Sequence, residues 1–329
     1  MHQEFLMGNQ AIALGALAAG VRLVAGYPGT PSTEVLETVA KNRQENTYVE
    51  WSVNEKSAME VGAGAAYTGA RTMVTMKQVG LNVAADPLMS LEYIGVKGGM
   101  VILVADDPGP ISSQTEQDTR HFARFSKLPC FDPSTVQEAY DMVQEAFEYS
   151  EKYGTPVFFR STTRVSHGYA SIQVKDVEEY KNVEPEGFVK DTKRWVIFPK
   201  LSYQAHINIE ARNEELAKVF SQYKRNLLLP AEDDCKELKK GIATGGFNYT
   251  YVTEAMANLG QLRELKVSTP HPFPEQLVVE FLTGLEEVLC IEELDPVIER
   301  ELIYIAGKYH LPVKILGKLS HHVKNSGEN

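Results

Sequence analysis

Residues 48–82, with the sequence YVEWSVNEKSAMEVGAGAAYTGARTMVTMKQVGLN, constrain the fold more than any other stretch. The pattern predicts a strand, a helix that opens at Glu55, a second strand and a turn at Gly80. Glu55 is either a charge partner of the helix N-terminus or a group held against a ligand, and spacing alone favours the first interpretation. Small residues recur along the helix at intervals of three or four, on one face suited to close packing against a partner: Ala58, Gly62, Ala66 and Gly69.

The composition is typical of a globular protein. At 329 residues the chain is long enough for two domains, and 43% hydrophobic residues provide a core for each. The net charge of −11 argues against nucleic-acid partners and membrane-surface binding, since both need clustered positive charge. There is no long apolar run and no secretory signal, so we expect a cytoplasmic protein. Cys130, Cys235 and Cys290 lie far apart, which argues against a disulfide framework or a cysteine-ligated metal centre.

Strands alternate with helices along most of the chain, which favours parallel sheets covered by helices on both faces. We predict a first α/β domain over residues 1–175 and a charged, proline-punctuated linker over 176–200. A second, smaller α/β domain then covers 201–320, and residues 321–329 form a flexible tail. The fold class is therefore α/β, with two doubly wound, mostly parallel-sheet domains.

Ligands of such sheets bind at the carboxyl ends of the strands, where three connections stand out. They are the turn YPGTPS at 27–32, the turn around Gly80 and a polar connection at 106–122. A long polar connection is either a binding loop or an exposed surface loop, and both interpretations stay open. The turn GIATGGF at 241–247 is a weak match to an anion-binding turn, and close packing of a strand and a helix explains it better.

The common catalytic motifs are absent from the sequence. The chain has no GxSxG nucleophile elbow, no HExxH zinc motif, no Walker A loop and no GxGxxG dinucleotide fingerprint. From residue patterns alone, the chain is a two-domain α/β protein with one suggestive carboxylate.

Four stretches carry a family resemblance: GYPGTPS at 26–32, NEKSA at 54–58, MKQVGLNVAADPLMSLEYIGVKGGMVILVADDPGP at 76–110 and SSQTEQDTRHFA at 112–123. They resemble the 2-oxoacid:ferredoxin oxidoreductases, and in particular the alpha subunits of the indolepyruvate branch. The resemblance is dense over residues 8–170 and looser but continuous towards residue 318.

The resemblance implies a thiamine diphosphate enzyme. The first domain corresponds to a thiamine pyrimidine-binding domain, and the second to a transketolase C-terminal-like domain that binds no thiamine. Glu55 falls on the position of the glutamate that hydrogen-bonds N1′ of the cofactor's aminopyrimidine ring. A carboxyl group shielded from water can share a proton with N1′ and so activate the cofactor.

Other site positions follow from the same resemblance. Thr30 corresponds to a threonine that faces the substrate carboxylate. Arg120 and His121 are candidate substrate-binding residues, although a structural role is an equal alternative for either. No metal ligand is assigned to this chain. The pyrimidine ring is expected to lie against residues of two turns: Pro28, Gly29, Gln78, Val79, Gly80 and Leu81.

The sequence departs from the family's alpha subunits in one respect. Those subunits continue into a diphosphate-binding domain, where a GDG motif and a downstream asparagine hold Mg²⁺, and then into a cysteine-rich ferredoxin-like domain. Neither occurs in this sequence. We therefore expect this chain to hold only the pyrimidine half of the cofactor, with Mg²⁺, the diphosphate and the iron–sulfur clusters on partner domains. The expected partners are a subunit or domain with the GDG motif, a ferredoxin-like iron–sulfur component and a beta- or gamma-type subunit, in a homo- or hetero-oligomer.

The resemblance thus implies a component of a 2-oxoacid:ferredoxin oxidoreductase that is inactive without its partner domains. Its substrate would be indolepyruvate or another aryl 2-oxoacid, which the complex decarboxylates oxidatively. Two alternatives stay open. One is a non-catalytic scaffold or regulatory paralogue, and the other is a split enzyme that acts on phenylglyoxylate or an aliphatic 2-oxoacid.

Overall fold

The computed structural model describes residues 1–230, 238–257 and 262–328. The strands of the amino-terminal half are β1 (His2–Met7), β2 (Leu23–Gly26), β3 (Tyr48–Trp51), β4 (Thr72–Lys77), β5 (Met100–Asp106), β6 (Cys130–Phe131), β7 (Val157–Thr162) and β8 (Tyr169–Val174). Strands β2 to β7 form one sheet in the order β3-β2-β4-β5-β7-β6, and all neighbours in it are parallel. Strands β1 and β8 pair antiparallel as a separate ribbon.

Helices cover both faces of this sheet, because successive residues of each strand point to opposite sides. Val24 and Val101 belong to one core cluster, whereas their neighbours Ala25 and Ile102 belong to another. The helices are α1 (Gly8–Ala18), α2 (Thr33–Asn42), α3 (Glu55–Tyr67), α4 (Gln78–Ile94), α5 (Thr119–Phe125), α6 (Val136–Tyr153) and α7 (Thr163–His167). The first cluster includes residues of α1, α2 and α6, and the second includes residues of α3, α4 and α5. The expected doubly wound arrangement is confirmed.

The small residues of helix α3 pack against the sheet of the same chain. Ala58, Gly62 and Ala66 are buried, and a Cβ on Gly62 would lie 2.6 Å from Cγ2 of Val74 on β4. The helix therefore packs closely against its own sheet. The expectation that this face packs against a partner chain is wrong, because the sheet already occupies it.

The second sheet is smaller and also mostly parallel. Its strands are β9 (Leu227–Leu229), β10 (Lys240–Gly245), β11 (Arg263–Val267), β12 (Glu287–Ile291) and β13 (Lys314–Leu316). Their order is β13-β12-β10-β11-β9, and β9 runs antiparallel to its neighbour β11. The helices that accompany this sheet are α9 (Asn248–Met256), α10 (Glu275–Leu282) and α11 (Val297–Lys308).

The connection between the two sheets runs over the surface of the first. Arg22 forms an ion pair with Glu184 (2.6 Å), and Lys97 forms one with Glu186 (2.7 Å). Helix α8 (Pro199–Ser221) follows this connection.

Helix α8 contacts both halves of the protein. Its buried Phe220 packs edge-on against Phe131 of β6, with ring centroids 5.6 Å apart, and its Ser221 hydroxyl accepts a hydrogen bond from the backbone of Gln276 on α10. The domain boundaries at 175, 200 and 320, and the flexible tail at 321–329, stay predictions. None of the helices in the three described ranges is long and apolar enough to cross a membrane.

Candidate functional site

Glu55 lies at the point where β3 gives way to α3. Asn54 caps the helix, since its Oδ1 accepts a hydrogen bond from the backbone N–H of Ser57 (2.9 Å), and Glu55 is the first helical residue. The Glu55 side chain is only 8% exposed. Its carboxylate makes no hydrogen bond or ion pair with any residue of the described ranges. A shielded carboxylate without a protein partner is free to bind a ligand group.

Gly80 lies directly against this carboxylate. A Cβ on Gly80 would be 2.4 Å from Oε1 of Glu55 and 2.7 Å from its Cδ, so only glycine allows the first turn of α4 to approach so closely. The N-terminus of α4, which carries partial positive charge, therefore lies beside the carboxylate. Its first residue, Gln78, is also buried.

The turn at 27–32 is braced by its own hydrogen bonds. The carbonyl oxygen of Gly29 accepts bonds from the backbone N–H and the hydroxyl of Ser32, both at 2.8 Å. The Gly29 N–H donates to Thr33 Oγ1 (2.9 Å). Pro28 and Thr30 stay exposed on this turn, with surfaces open to a ligand.

The second turn meets the first through Lys77. A Cβ on Gly29 would lie 3.0 Å from Cγ and Cδ of Lys77, so the two turns touch. Val79 is half-buried, whereas the Leu81 side chain belongs to the core between α3 and α4. Leu81 therefore supports the turn through packing.

Residues 108–117, which we name the bridging loop, connect the two turns. The Gln78 amide Nε2 donates to the carbonyl oxygen of Thr115 (3.0 Å), and Ser112 Oγ reaches the carbonyl oxygen of Thr30 (3.5 Å). Asn82 also donates to Gln117 (3.1 Å). Thr30, Gln78 and the bridging loop are thus brought together around the Glu55 corner of the sheet.

Asp107 holds the base of the bridging loop, although its residue pattern alone did not mark it as a site residue. Its Oδ2 accepts the backbone N–H groups of Ser112 (2.9 Å) and Ser113 (3.0 Å), and its Oδ1 accepts the Thr163 hydroxyl (2.8 Å). Burial alone would raise the pKa of Asp107, but these hydrogen bonds outweigh it and lower the pKa. The sequence pattern that could have indicated Asp107 is an aspartate before Pro-Gly at the end of a strand, which is typical of turns.

Arg120 lies between the two halves of the protein. Its guanidinium donates to Asp118 (2.6 Å), to Glu292 (2.7 Å) and to the carbonyl oxygens of Glu293 and Asp295. Burial alone would lower the pKa of Arg120, but Asp118 and Glu292 raise it above its ordinary value. With its donors engaged in this way, Arg120 fits the structural alternative.

His121 also faces the second half of the protein. Its Nε2 lies 2.9 Å from Oδ2 of Asp295; the His121 side chain is partly exposed and that of Asp295 is exposed. Within the described ranges, Asp118, His121 and Asp295 are the one trio whose ligand atoms lie within 4.8 Å of one another. Because both oxygens of Asp118 already accept hydrogen bonds from Arg120, this trio is poorly suited to a metal ion.

The comparisons with known proteins agree with the geometry. Residues 14–241 match the family model described as pyruvate flavodoxin/ferredoxin oxidoreductase, thiamine diphosphate-binding. The chain belongs to this family. The match covers the elements around Glu55, Gly80 and the bridging loop.

Curated relatives include two archaeal proteins named indolepyruvate oxidoreductase subunit IorA. The protein from Methanothermobacter thermautotrophicus is 44% identical over 96% of this chain and 50% of its own length. The protein from Pyrococcus abyssi is 43% identical over 95% of this chain and 49% of its own. The chain thus spans about half the length of these relatives.

Solved structures resemble the fold at low sequence identity. A 2-oxoglutarate:ferredoxin oxidoreductase from Magnetococcus marinus gives a TM-score of 0.77 with 18% identity, over 96% of this chain and 62% of that one. A split gene transketolase in an inactive beta4 tetramer gives a TM-score of 0.61 with 16% identity, over 94% of this chain and 86% of that one. At these identities the structures support the fold, and the expected α/β architecture with two sheets is confirmed.

Proposed function

We propose that this chain supplies the pyrimidine-binding half-site of a thiamine diphosphate-dependent 2-oxoacid oxidoreductase. The observation that carries the proposal is Glu55, a buried and unpaired carboxylate against Gly80, in a chain whose family binds thiamine diphosphate. Bound thiamine diphosphate supplies a nucleophilic carbon and an electron sink for decarboxylation. Glu55 holds the proton at N1′ of the aminopyrimidine and so activates the cofactor.

The residues present fit one half of the cofactor. The corner around Glu55 combines a shielded proton-sharing group with two glycine-containing turns, and a Cβ on Gly80 would fill the space beside the carboxylate. Pro28, Gly29, Gln78 and Val79 line the pyrimidine side in this proposal, and Thr30 faces the substrate carboxylate. Leu81 acts behind them as a core residue.

The diphosphate half lies on a partner in this proposal. The sequence has no GDG motif for Mg²⁺ and the diphosphate. Burial raises the pKa of the Cys130 and Cys290 thiols, which makes these two cysteines poor ligands for an iron–sulfur cluster. Cys235 lies outside the described residues. We assign Mg²⁺ and the iron–sulfur clusters to partner domains or subunits, within an oligomeric enzyme of the cytoplasm.

The substrate proposed is indolepyruvate or another aryl 2-oxoacid. Its support is the identity of 44% and 43% to relatives named as indolepyruvate oxidoreductase subunits, over almost the whole of this chain. The exposed surfaces of Thr30 and the bridging loop form the substrate side of the site.

The test uses this chain co-expressed with a partner that carries the diphosphate-binding and iron–sulfur domains. With thiamine diphosphate and Mg²⁺, the complex should reduce a viologen dye on addition of indolepyruvate. Glu55→Ala should lower kcat by about 10²–10⁴-fold, since it removes the proton-sharing group. Glu60→Ala is the matched control, because Glu60 lies on the same helix but is exposed. Full activity of Glu55→Ala, or a loss shared equally by Glu60→Ala, would contradict the proposal.

A further inference from the structure

The carboxyl-terminal segment of the described chain reaches the bridging loop. A single oxygen, Oε1 of Glu116, accepts the backbone N–H of Gly109 (2.9 Å) and the backbone N–H of Gly327 (2.7 Å). Gly109 and Glu116 lie near opposite ends of the loop. One carboxylate therefore closes the loop on itself and fastens it to residue 327.

The two glycines also pack backbone against backbone. A Cβ on Gly327 would lie 3.4 Å from Cα of Gly109, and both residues have positive φ angles, +68° and +63°. Larger residues would be strained at either position and would separate the two segments. The close approach of the two segments therefore depends on a glycine at both positions, 109 and 327.

Two further elements hold the segment in place. Arg164 donates from Nε to Oε1 of Glu328 (2.9 Å) and from a terminal nitrogen to Oε2 (2.6 Å). The carbonyl oxygen of Gly327 accepts the backbone N–H of Leu294 (3.3 Å), which follows β12 in the second half of the protein. These contacts anchor residues 327 and 328 independently of Glu116.

We propose that Glu116 is a positioning residue of the half-site, which fastens the bridging loop to residues 327 and 328. The residue before it, Thr115, accepts the Gln78 amide at the head of α4, beside Gly80 and Glu55. Through this contact, Glu116 fixes the position of the bridging loop relative to the turn around Gly80. The carboxyl-terminal segment thereby supports a loop more than 200 residues earlier in the sequence, since Gly327 and Glu116 are 211 positions apart.

Hydrogen exchange measured by mass spectrometry on the full chain tests the fastening. Glu116→Ala should raise exchange about fivefold at the amides of Ser112 and Ser113, which Asp107 holds and Glu116 does not touch. Glu116→Gln should restore protection, because its amide oxygen can accept the same two N–H groups. The control Glu254→Ala removes an exposed glutamate of α9 and should change nothing at the loop.

A second variant tests the carboxyl-terminal segment itself. Gly327→Val should give the same increase at Ser112 and Ser113, because the side chain forces the segment away from Gly109. Gly187→Val is the matched control, since Gly187 also has a positive φ, +87°, but no atom lies within 4 Å of its added Cβ. Unchanged loop exchange in Glu116→Ala or in Gly327→Val would overturn the proposal.

The kinetic measurement rests on the proposed function, whereas the exchange measurement does not. In the reconstituted enzyme, Glu116→Ala should raise KM for the 2-oxoacid about fivefold at nearly unchanged kcat, with rescue by Glu116→Gln. An active enzyme whose KM is unaffected by Glu116→Ala would refute the positioning role. If the wild-type complex has no activity, the proposed function fails, and the exchange results still decide whether Glu116 fastens the loop.

Discussion

Gly80→Ala tests the half-site by a single added methyl group. The new Cβ would lie 2.4 Å from Oε1 of Glu55, whereas ordinary contacts begin near 3.4 Å. The carboxylate must therefore shift by about 1 Å, a misplacement that costs about 10²-fold in rate when a catalytic group is displaced. We expect kcat of the reconstituted complex to fall by about 100-fold in the viologen assay.

The same substitution should leave the fold intact. Overpacking against Glu55 costs about 1–3 kcal/mol, and replacing a helical glycine by alanine returns about 0.5–1 kcal/mol. The net loss in the free energy of unfolding is then about 0–2.5 kcal/mol, measurable by urea denaturation of the isolated chain. A folded but weakly active variant would separate the effect on the site from an effect on stability.

Gly64→Ala is the matched control on α3. No atom lies within 4 Å of a Cβ added at Gly64, which is exposed. Helix α3, which also carries Glu55, therefore gains a methyl group without a clash. The substitution should stabilise the chain by about 0.5–1 kcal/mol and leave activity unchanged. If Gly80→Ala is as active as Gly64→Ala, the placement of the Glu55 carboxylate does not govern catalysis and the reasoning is refuted.

Two further predictions concern buried charges elsewhere in the chain. Arg120→Met should lower the free energy of unfolding by about 3–5 kcal/mol, because the buried carboxylates of Asp118 and Glu292 lose the positive charge that pairs with them. Arg124→Met, on the exposed side of α5, should cost less than about 1 kcal/mol. Equal unfolding curves for these two variants would show that the buried network contributes little. Burial raises the pKa of Glu92 to about 7, so the folded protein holds this carboxyl in its neutral form at low pH. As the pH rises through 7 the buried group becomes charged, and the free energy of unfolding falls. Glu92→Gln should therefore be more stable than the wild type at pH 8 by about 1–2 kcal/mol and not at pH 5, and a difference that is the same at both pH values would contradict this.

The central strands of the main sheets were predictable because they are buried on both faces. Strand β5, with the sequence MVILVAD, is buried at every position and reads as a continuous apolar run. Strands β1, β6, β8 and β9 were not predicted. Strand β9 has three residues, too few for a periodic pattern, and its pairing with β11 depends on contacts made in the folded protein.

The candidate site also contains residues that local sequence predicted and residues whose partners are distant in the sequence. Glu55 and Gly80 lie in one short stretch, so local pattern and family resemblance together placed them at one corner of the sheet. Asp118, one partner of Arg120, is two positions away, but the other carboxylate partner, Glu292, is 172 positions away and gave no local signal. The sequence left substrate binding and a structural role open for Arg120, and its burial with the carboxylates of Asp118 and Glu292 fits the structural role.

The bridging loop is bounded by two buried ion pairs. Asp106, two residues before the loop, binds Arg160 (2.6 Å), and Asp118, directly after it, binds Arg120 (2.6 Å). With both stems fixed, the chain between them has few alternative conformations to lose when a ligand arrives. The conformational entropy of ordering this loop is thus lost on folding, and at the proposed half-site the binding energy would go into holding the ligand.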